Sequence, residues 1–246
     1  MKGLKLYILY TGCITLPKGH MTPGTEDAGE IIIFPAYCYL IDHPNGKVLL
    51  DCGMNHGGPA AVRDEDIVVN RLAEIGITPD DIKYVVLSHM HIDHAAYMTS
   101  FPNATFVVRK EELKTAWWPE ECEKGYCYPD YKDTRDYDYI QPLDEENFDL
   151  FMDGSVILID TKGHTRGHQS VLLDLEETGK VCLVADASSF RENMDRMVLP
   201  GFCSSPWDAL QSLRKLKHLE REGYLLIFGH DIAQKESLKL SPDYYR

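Results

Sequence analysis

The sequence of 246 residues is 44% hydrophobic and 26% charged, which is ordinary for a globular protein with a sizeable core. The net charge of −14, without a cluster of Lys or Arg, argues against a nucleic-acid partner, because nucleic-acid binding depends on neutralising phosphates. No apolar run approaches the roughly 20 residues that span a bilayer, so we expect no membrane partner. The seven cysteines are scattered and odd in number, and we expect a reducing, cytoplasmic setting.

The first half of the chain predicts strands separated by short helices. Apolar runs bounded by turn residues predict strands at about 4–10, 31–41, 47–51, 84–87 and 104–109. Asn45-Gly46 between two of these runs is a strong hairpin signal. Residues 12–30 are expected to form a loop, and helices are expected at 65–75 and 110–117.

Residues 118–147 differ from their surroundings because they are rich in Tyr, Asp, Glu and Pro and follow no clean period. The segment is either a disordered insert or an ordered loop, and its five tyrosines argue against full disorder. Long loops within compact domains are more often lids or binding loops. We therefore expect a single domain over 1–246, with a substrate-facing loop insertion at 118–147.

The second half of the chain returns to strands, predicted at 156–160, 171–175, 181–184 and 224–228. The strands at 171–175 and 181–184 are expected to pair in antiparallel fashion. An amphipathic helix is expected at 206–222, with one packing side formed by Trp207, Leu210, Leu213, Leu216 and Leu219.

The segment at 88–94 places three histidines and an aspartate directly after the strand at 84–87. Imidazole and carboxylate groups bind zinc and similar divalent ions. His89 and His91 can address one ion, and Asp93 and His94 can address a second ion nearby. A polar surface turn is the alternative, but four potential ligands within six positions make it the weaker interpretation.

The same event recurs at three other predicted strand ends, where His164, Asp186 and His230 follow apolar runs. Taken singly, the two histidines could be ordinary loop residues and the aspartate a helix N-cap. Strand ends hold side chains rigidly while loops give access, so together these residues suggest one shared site. The predicted metal ligands are His89, His91, Asp93, His94, His164, Asp186 and His230.

This pattern resembles the metallo-β-lactamase superfamily, of which the motif His89-X-His91-X-Asp93-His94 is the most specific signature. Within it, the sequence looks most like the N-acyl-homoserine lactonases, with similar stretches at 50–54, 163–170, 186–188, 201–217 and 228–232. The resemblance implies an α/β (α+β) fold, the four-layer αββα sandwich.

The resemblance also implies how the ligands are shared between two zinc ions. One ion would be held by His89, His91 and His164, the other by Asp93, His94 and His230, and Asp186 would bridge them. The implied activity is that of a dinuclear metal-dependent hydrolase opening a lactone, such as an acyl-homoserine lactone. A metal-bridging hydroxide would attack the carbonyl, and the cations would stabilise the charge that develops.

Specific roles are also predicted for one of the ligands, Asp93, and for two residues near the ligands. Asp93 is expected to be catalytic as well as a ligand, by carrying a proton to the leaving oxygen. Asp51 is expected to orient a ligand imidazole, with a plain turn aspartate as the alternative. His168 is expected to be structural rather than a ligand.

Two positions depart from the lactonase pattern. Lactonases usually carry a tyrosine three residues after the bridging aspartate, where this chain has the much shorter Ser189. The family commonly has Ala-Gly-Gly after the last motif histidine, whereas this chain has Ala95-Ala96-Tyr97. Tyr97 could replace the missing phenol or simply pack against the following helix. Tyr97 and Ser189 are therefore candidate catalytic residues. They would affect which substrate is hydrolysed rather than the chemistry of the metal ions.

The alternative interpretations keep the metal site and change what it acts on. The same ligands would serve another ester, a thioester or a phosphodiester. A di-iron oxidoreductase is a weaker alternative, because neither its extra acidic ligand nor an attached flavin domain is seen. Two Zn²⁺ ions are expected, although these ligand types also accept Fe, Mn or Co. The expected partner is a small-molecule substrate, and a homodimer is possible because related lactonases are often dimers.

Overall fold

The computed structural model describes residues 3–246, in which the strands form two sheets. In chain order the strands are β1 (Lys5–Pro17), β2 (Ile31–Asp42), β3 (Lys47–Leu50), β4 (Ala60–Ala61), β5 (Ile82–Val86), β6 (Thr105–Val107), β7 (Tyr139–Ile140), β8 (Phe148–Asp149), β9 (Val156–Asp160), β10 (Gln169–Leu175), β11 (Gly179–Ala185) and β12 (Leu225–Phe228). The first sheet has the order β4-β1-β2-β3-β5-β6-β7, and the second has the order β12-β11-β10-β9-β8.

The α-helices are short, apart from one of sixteen residues. In chain order they are α1 (Val68–Glu74), α2 (Lys110–Trp117), α3 (Tyr128–Tyr131), α4 (Arg191–Arg196), α5 (Pro206–Arg221) and α6 (Ile232–Lys235). Among residues 3–246, none of these helices combines the length and apolar character needed to cross a membrane.

Apolar clusters stack these elements into four layers. The cluster between the sheets draws side chains from both, among them Leu6, Val48, Leu158 and Leu183. On the far side of the first sheet, α1 and α2 pack through side chains such as Leu72 and Ala116. On the far side of the second sheet, α5 packs through Leu213, Leu216 and Leu219. The predicted αββα sandwich is therefore confirmed.

The central strands explain why several apolar runs lack an alternating pattern. β2 is buried at every position from 34 to 41. Because its sheet is covered by the second sheet on one face and by helices on the other, both sets of side chains must be apolar. The predicted hairpin of β2 and β3 is present, with their residues paired in antiparallel register.

The directions of the strands bring their carboxyl ends to one rim of the sandwich. In the first sheet β3, β5 and β6 run parallel. In the second sheet β11 and β12 run parallel, and β9 shares their direction because β10 is antiparallel to both β9 and β11. The segments that leave β5, β9, β11 and β12 carry the predicted ligands.

The loop expected at 12–30 begins later than predicted, because β1 continues to Pro17. The strand pairs with β2 on both sides of a register shift between Tyr10 and Gly12. Gly12 has φ +117°, and a Cβ there would lie 2.7 Å from the carbonyl oxygen of Ala61. The glycine thus marks a bulge in the strand rather than its end.

The helix predicted at 206–222 is present as α5, but one of its predicted packing residues is wrong. Leu213 and Leu216 are fully buried, whereas Trp207 is 66% exposed. Successive helical residues turn by about 100°, so Trp207 points away from the face that the two leucines define.

Residues 118–147 fold into short elements instead of one open loop. They include α3 and also β7, which extends the first sheet beside β6. Tyr131 is buried, and its hydroxyl donates a 2.6 Å hydrogen bond to the carbonyl oxygen of Ala116 in α2. Anchoring by aromatic side chains explains how a segment without a regular period still packs against the chain.

Gly163→Ala should strongly destabilise the fold. Gly163 has φ +133°, and a Cβ there would lie 2.1 Å from the backbone nitrogen of Ala209 in α5. We expect overpacking and backbone strain to lower the free energy of unfolding by about 3 kcal/mol, and Tm by roughly 6–12 °C. Thermal unfolding followed by circular dichroism measures this. Gly29→Ala is the matched control, since nothing lies within 4 Å of its Cβ position; equal melting of the two variants would contradict the close packing.

Candidate metal centre

Seven side chains from four strand-end segments meet at the rim of the sandwich. Their potential ligand atoms fall into two groups, and within each group all atoms lie within 4.8 Å of one another. The three-histidine group consists of His89, His91 and His164, and the mixed group consists of Asp93, His94, Asp186 and His230. The structure thus brings together all seven residues that the sequence predicts as metal ligands.

The three-histidine group is buried and uncharged. Nδ1 of His91 lies 3.0 Å from Nε2 of His164. Burial lowers the pKa of all three imidazoles, that of His91 to about 3. The neutral imidazole is the form that binds a metal ion, so this group is in the required protonation state.

Asp186 faces both groups. Its Oδ1 lies 3.1 Å from Nε2 of His230 and 3.7 Å from Nε2 of His94, while its Oδ2 lies 3.5 Å from Nε2 of His164. Asp93 Oδ2 lies 3.4 Å and 3.5 Å from the same nitrogens of His94 and His230. One oxygen of Asp186 is therefore presented to each group, as a shared ligand requires.

Charges within the mixed group oppose the effect of burial. Burial alone would raise the pKa of Asp93 and Asp186, but the imidazoles of His94 and His230 lower the pKa of both carboxyls. Burial alone would lower the pKa of those two imidazoles, but the carboxylates raise it. The carboxylates are therefore ionised in a buried position, where a bound cation would stabilise them.

Backbone carbonyls hold the outer nitrogens of two of the histidines. Nδ1 of His164 donates to the carbonyl oxygen of Phe202 over 2.8 Å, and Nδ1 of His230 donates to that of Pro35 over 2.7 Å. Because Nδ1 of each ring is held by a carbonyl oxygen, Nε2 is the nitrogen that faces the ligand groups.

Asp51 orients a third imidazole, which confirms the predicted role of this residue. Its Oδ2 lies 2.8 Å from Nδ1 of His94. The same carboxylate accepts hydrogen bonds from the backbone nitrogen and hydroxyl of Ser88, at 2.7 and 2.8 Å. The Ser88 hydroxyl in turn lies 3.0 Å from Nδ1 of His89. One buried carboxylate thus supports a histidine from each group.

Four buried ligand atoms have no hydrogen-bond partner among the described residues. They are Nε2 of His89, Nε2 of His94, Nε2 of His230 and Oδ1 of Asp186. Buried polar atoms in native proteins are nearly always paired, and leaving one unpaired costs about 1–3 kcal/mol. Unpaired nitrogens and an unpaired oxygen that face one another fit a site for cations.

His168 belongs to neither group. Its Nδ1 lies 2.9 Å from the hydroxyl of Thr161, and its Nε2 accepts a 3.1 Å hydrogen bond from the backbone nitrogen of Asp186. Protein atoms therefore use both ring nitrogens. The predicted structural role of His168 is confirmed, and its contact positions the shared aspartate.

A cavity of about 270 Å³ opens beside the two groups. Asp93, Asp186, His91 and His164 line it on one side. Its apolar wall includes Ile14, Leu16, Met21, Phe34, Met54 and Phe202, and Gly125 lines it from the segment at 118–147. Such a cavity suits a small molecule with an apolar body and a polar reacting end.

The other two predicted catalytic residues are not among those that line this cavity. Tyr97 packs against the apolar cluster on the outer side of the first sheet. Ser189 is fully buried, and its hydroxyl has no hydrogen-bond partner among the described residues. The catalytic roles of Tyr97 and Ser189 stay predictions.

Glu112 is a site residue that the sequence did not single out. It lies on α2, is fully buried, and accepts hydrogen bonds from two of the segments that carry ligands. The buried positions of α2 are Glu112, Thr115 and Ala116. Glu112 lies at helical spacing from the buried Thr115 and Ala116, which places it on the inward face of α2. An acidic residue is rarely buried without partners, so its position on that face was the available sequence signal.

The sequence matches known proteins over most of its length. The model of the family described as the Metallo-beta-lactamase superfamily matches residues 32–230. The chain is 31% identical to the N-acyl homoserine lactonase AttM of Azorhizobium caulinodans, with 100% of both chains covered. It is 32% identical to an N-acyl homoserine lactonase of Bacillus thuringiensis, with 98% of both chains covered.

The fold matches a solved structure of the same kind. An N-acyl homoserine lactone hydrolase, determined with the product N-hexanoyl-L-homoserine bound at its catalytic metal centre, superposes with a TM-score of 0.86. The two chains are 30% identical, and 98% of each is covered. The chain described here belongs to the metallo-β-lactamase superfamily and, within it, to the family of the N-acyl homoserine lactonases.

Proposed function

We propose that the protein hydrolyses the ester bond of a lactone ring that carries an acyl chain, with N-acyl homoserine lactones as the substrate class. Membership of the family makes the chain a metal-dependent hydrolase. The observation that carries the proposal is the convergence of seven His and Asp ligands beside a cavity with an apolar wall. The lactonase relatives, which match the chain from end to end, support the choice of substrate.

We place one divalent cation in the three-histidine group and a second in the mixed group, with Asp186 shared between them. Bound cations of this kind polarise a carbonyl and lower the pKa of water toward neutrality, which ester hydrolysis at neutral pH requires. The neutral imidazoles of the three-histidine group, the ionised carboxylates of the mixed group and the buried ligand atoms without hydrogen bonds support this placement. Zn²⁺ suits these ligands, and Fe, Mn or Co are the alternatives.

Asp93 is the residue best placed to move a proton. It is the only one of the seven ligands that is partly exposed rather than buried, and it lines the cavity. Ring opening turns the ring oxygen into a leaving alkoxide that needs a proton. We assign to the Asp93 carboxylate the uptake of a proton released by the attacking water and its delivery to that oxygen. The apolar wall would hold the acyl chain and exclude water from the reacting ester.

Further properties of the protein are also part of the proposal. We propose a single domain over 1–246 in which the segment at 118–147 is a substrate-facing insertion, because Gly125 lines the cavity. A cytoplasmic location is supported by seven free cysteines, three of them buried. A homodimer is proposed from the resemblance to lactonases alone.

Purified protein should open N-hexanoyl-homoserine lactone much faster than it cleaves an aryl ester or a bis-aryl phosphate. The apolar wall accounts for this preference, since it can bind an acyl chain beside the ligand groups. Lactone opening releases an acid, so a pH-indicator assay measures the rate for each substrate. Robust phosphodiester cleavage without lactone opening would overturn the proposal in favour of the same groups acting on another ester.

Leu16→Asn should slow the hydrolysis of long-chain substrates selectively. Leu16 lines the apolar wall but belongs to neither ligand group. We expect kcat/KM for an N-decanoyl lactone to fall about tenfold through lost apolar contact, and that for γ-butyrolactone to stay unchanged. Ile33→Asn, at an exposed position of β2, is the control. Equal losses on both substrates would place the acyl chain elsewhere.

Chelation should abolish lactone opening, and two equivalents of Zn²⁺ per chain should restore it. His91→Ala should lower kcat/KM by more than about 100-fold and reduce the metal content, because the three-histidine group loses a ligand. His218→Ala, at an exposed histidine of α5, should resemble the wild type. Elemental analysis and kinetics check both variants. Full activity in chelator-treated protein would contradict a metal-dependent reaction.

A further inference from the structure

The carboxylate of Glu112 joins three segments that are far apart in sequence. Its Oε1 accepts hydrogen bonds from the backbone nitrogen of Met90 at 2.8 Å and from the hydroxyl of Tyr126 at 3.1 Å. Its Oε2 accepts one from the backbone nitrogen of Gly167 at 3.2 Å. Glu112 is fully buried, so these protein donors replace the water that would otherwise solvate the carboxylate.

Two of the three donors belong to the segments that carry the three-histidine group. Met90 lies between His89 and His91, and Gly167 lies three residues after His164. A hydrogen bond to each backbone nitrogen therefore fixes the separation of the two segments. That separation decides whether His91 and His164 bring their nitrogens to the observed 3.0 Å.

The third donor, Tyr126, also lies against the ring of His91. The ring of Tyr126 lies 4.9 Å from the ring of His91, centroid to centroid, in an edge-on arrangement. The backbone nitrogen of Ile92 donates a 2.9 Å hydrogen bond to the carbonyl oxygen of Gly125. The Glu112 carboxylate thus also anchors the part of the 118–147 segment that contacts a ligand.

Two glycines show how tightly these segments are packed. A Cβ at Gly167 would lie 2.3 Å from the backbone nitrogen of Glu112, and a Cβ at Gly125 would lie 2.8 Å from the ring of His91. At these two glycines the neighbouring segments are so close that a Cβ atom would overlap them. Such packing leaves little room for the loops to compensate if the carboxylate is changed.

We propose that Glu112 is the positioning residue of the three-histidine group, and that it acts on metal affinity through the Met90, Gly167 and Tyr126 hydrogen bonds. The proposal rests on the proposed metal-dependent function, but it concerns the assembly of one group and not the choice of substrate. Asp93 and His94 of the mixed group share the 88–94 segment with Met90, but this group contains no residue from the His164 segment. Its histidines are also held independently of Glu112, by Asp51 and by the carbonyl of Pro35. Loss of the carboxylate should therefore affect the two groups unequally.

Glu112→Gln tests the proposal with almost no change in volume. Its amide nitrogen is a donor, so at least one of the three donors loses its acceptor. Zn²⁺ is titrated into metal-free protein against a chromophoric chelator. The wild type should bind two equivalents. In Glu112→Gln one equivalent should bind with unchanged affinity and the other about 10–100-fold more weakly.

Two further variants keep the test decisive. Tyr126→Phe removes a single hydrogen bond and should weaken the same equivalent by about fivefold. Glu111→Gln, on the same helix and outside the network, should bind like the wild type. If Glu112→Gln does not fold, the Tyr126→Phe titration decides the outcome alone.

Thermal unfolding of the metal-free proteins separates positioning from general stability. Lower stability with two equivalents at unchanged affinity, in either test variant, would overturn the positioning role. Equal weakening of both equivalents would also overturn it. A wild-type protein that binds fewer than two equivalents would instead refute the proposed dinuclear function, and this proposal with it.

Discussion

The structure depends on holding His and Asp ligand atoms close together, several of them buried and without a hydrogen bond among the described residues. Nε2 of His89, His94 and His230, and Oδ1 of Asp186, are buried and unpaired among the described residues. A native chain rarely tolerates even one such atom, because each costs about 1–3 kcal/mol. These atoms meet because the αββα sandwich brings the carboxyl ends of β5, β9, β11 and β12 to one rim. A cation is the partner that satisfies nitrogens and carboxylate oxygens together.

The protein directs these atoms through a surrounding set of hydrogen bonds. Carbonyl oxygens of Phe202 and Pro35 hold the outer nitrogens of two histidines, and Asp51 supports two more, one directly and one through Ser88. His168 holds the backbone of Asp186 from behind. Rigid strands and these second contacts leave each ligand little freedom, which is how a site is pre-organised for a metal ion.

The seven converging residues could be predicted because the motif at 88–94 is local and the other three ligands lie within a few residues of apolar strands. The αββα fold was predicted from the resemblance to a known family. The contacts that orient the ligands were harder to predict. Glu112 reaches Met90 and Gly167 across 22 and 55 residues, and the carbonyl acceptors have no side-chain signature at all. The bulge at Gly12 was mistaken for the end of β1, because a glycine followed by a proline-containing stretch is also typical of a loop. The segment at 118–147 has no period because aromatic anchoring, rather than regular packing, holds it.

In the proposed function, the apolar wall binds the acyl chain and the two ligand groups hydrolyse the ester next to it. The central claim is that two cations share Asp186. Anomalous X-ray diffraction from crystals of the Zn²⁺-loaded protein, collected on both sides of the zinc edge, tests it most directly. The account predicts two zinc peaks in each chain, one within each ligand group, with one oxygen of Asp186 directed at each peak. A single peak, or two peaks with Asp186 bound to only one of them, would contradict it.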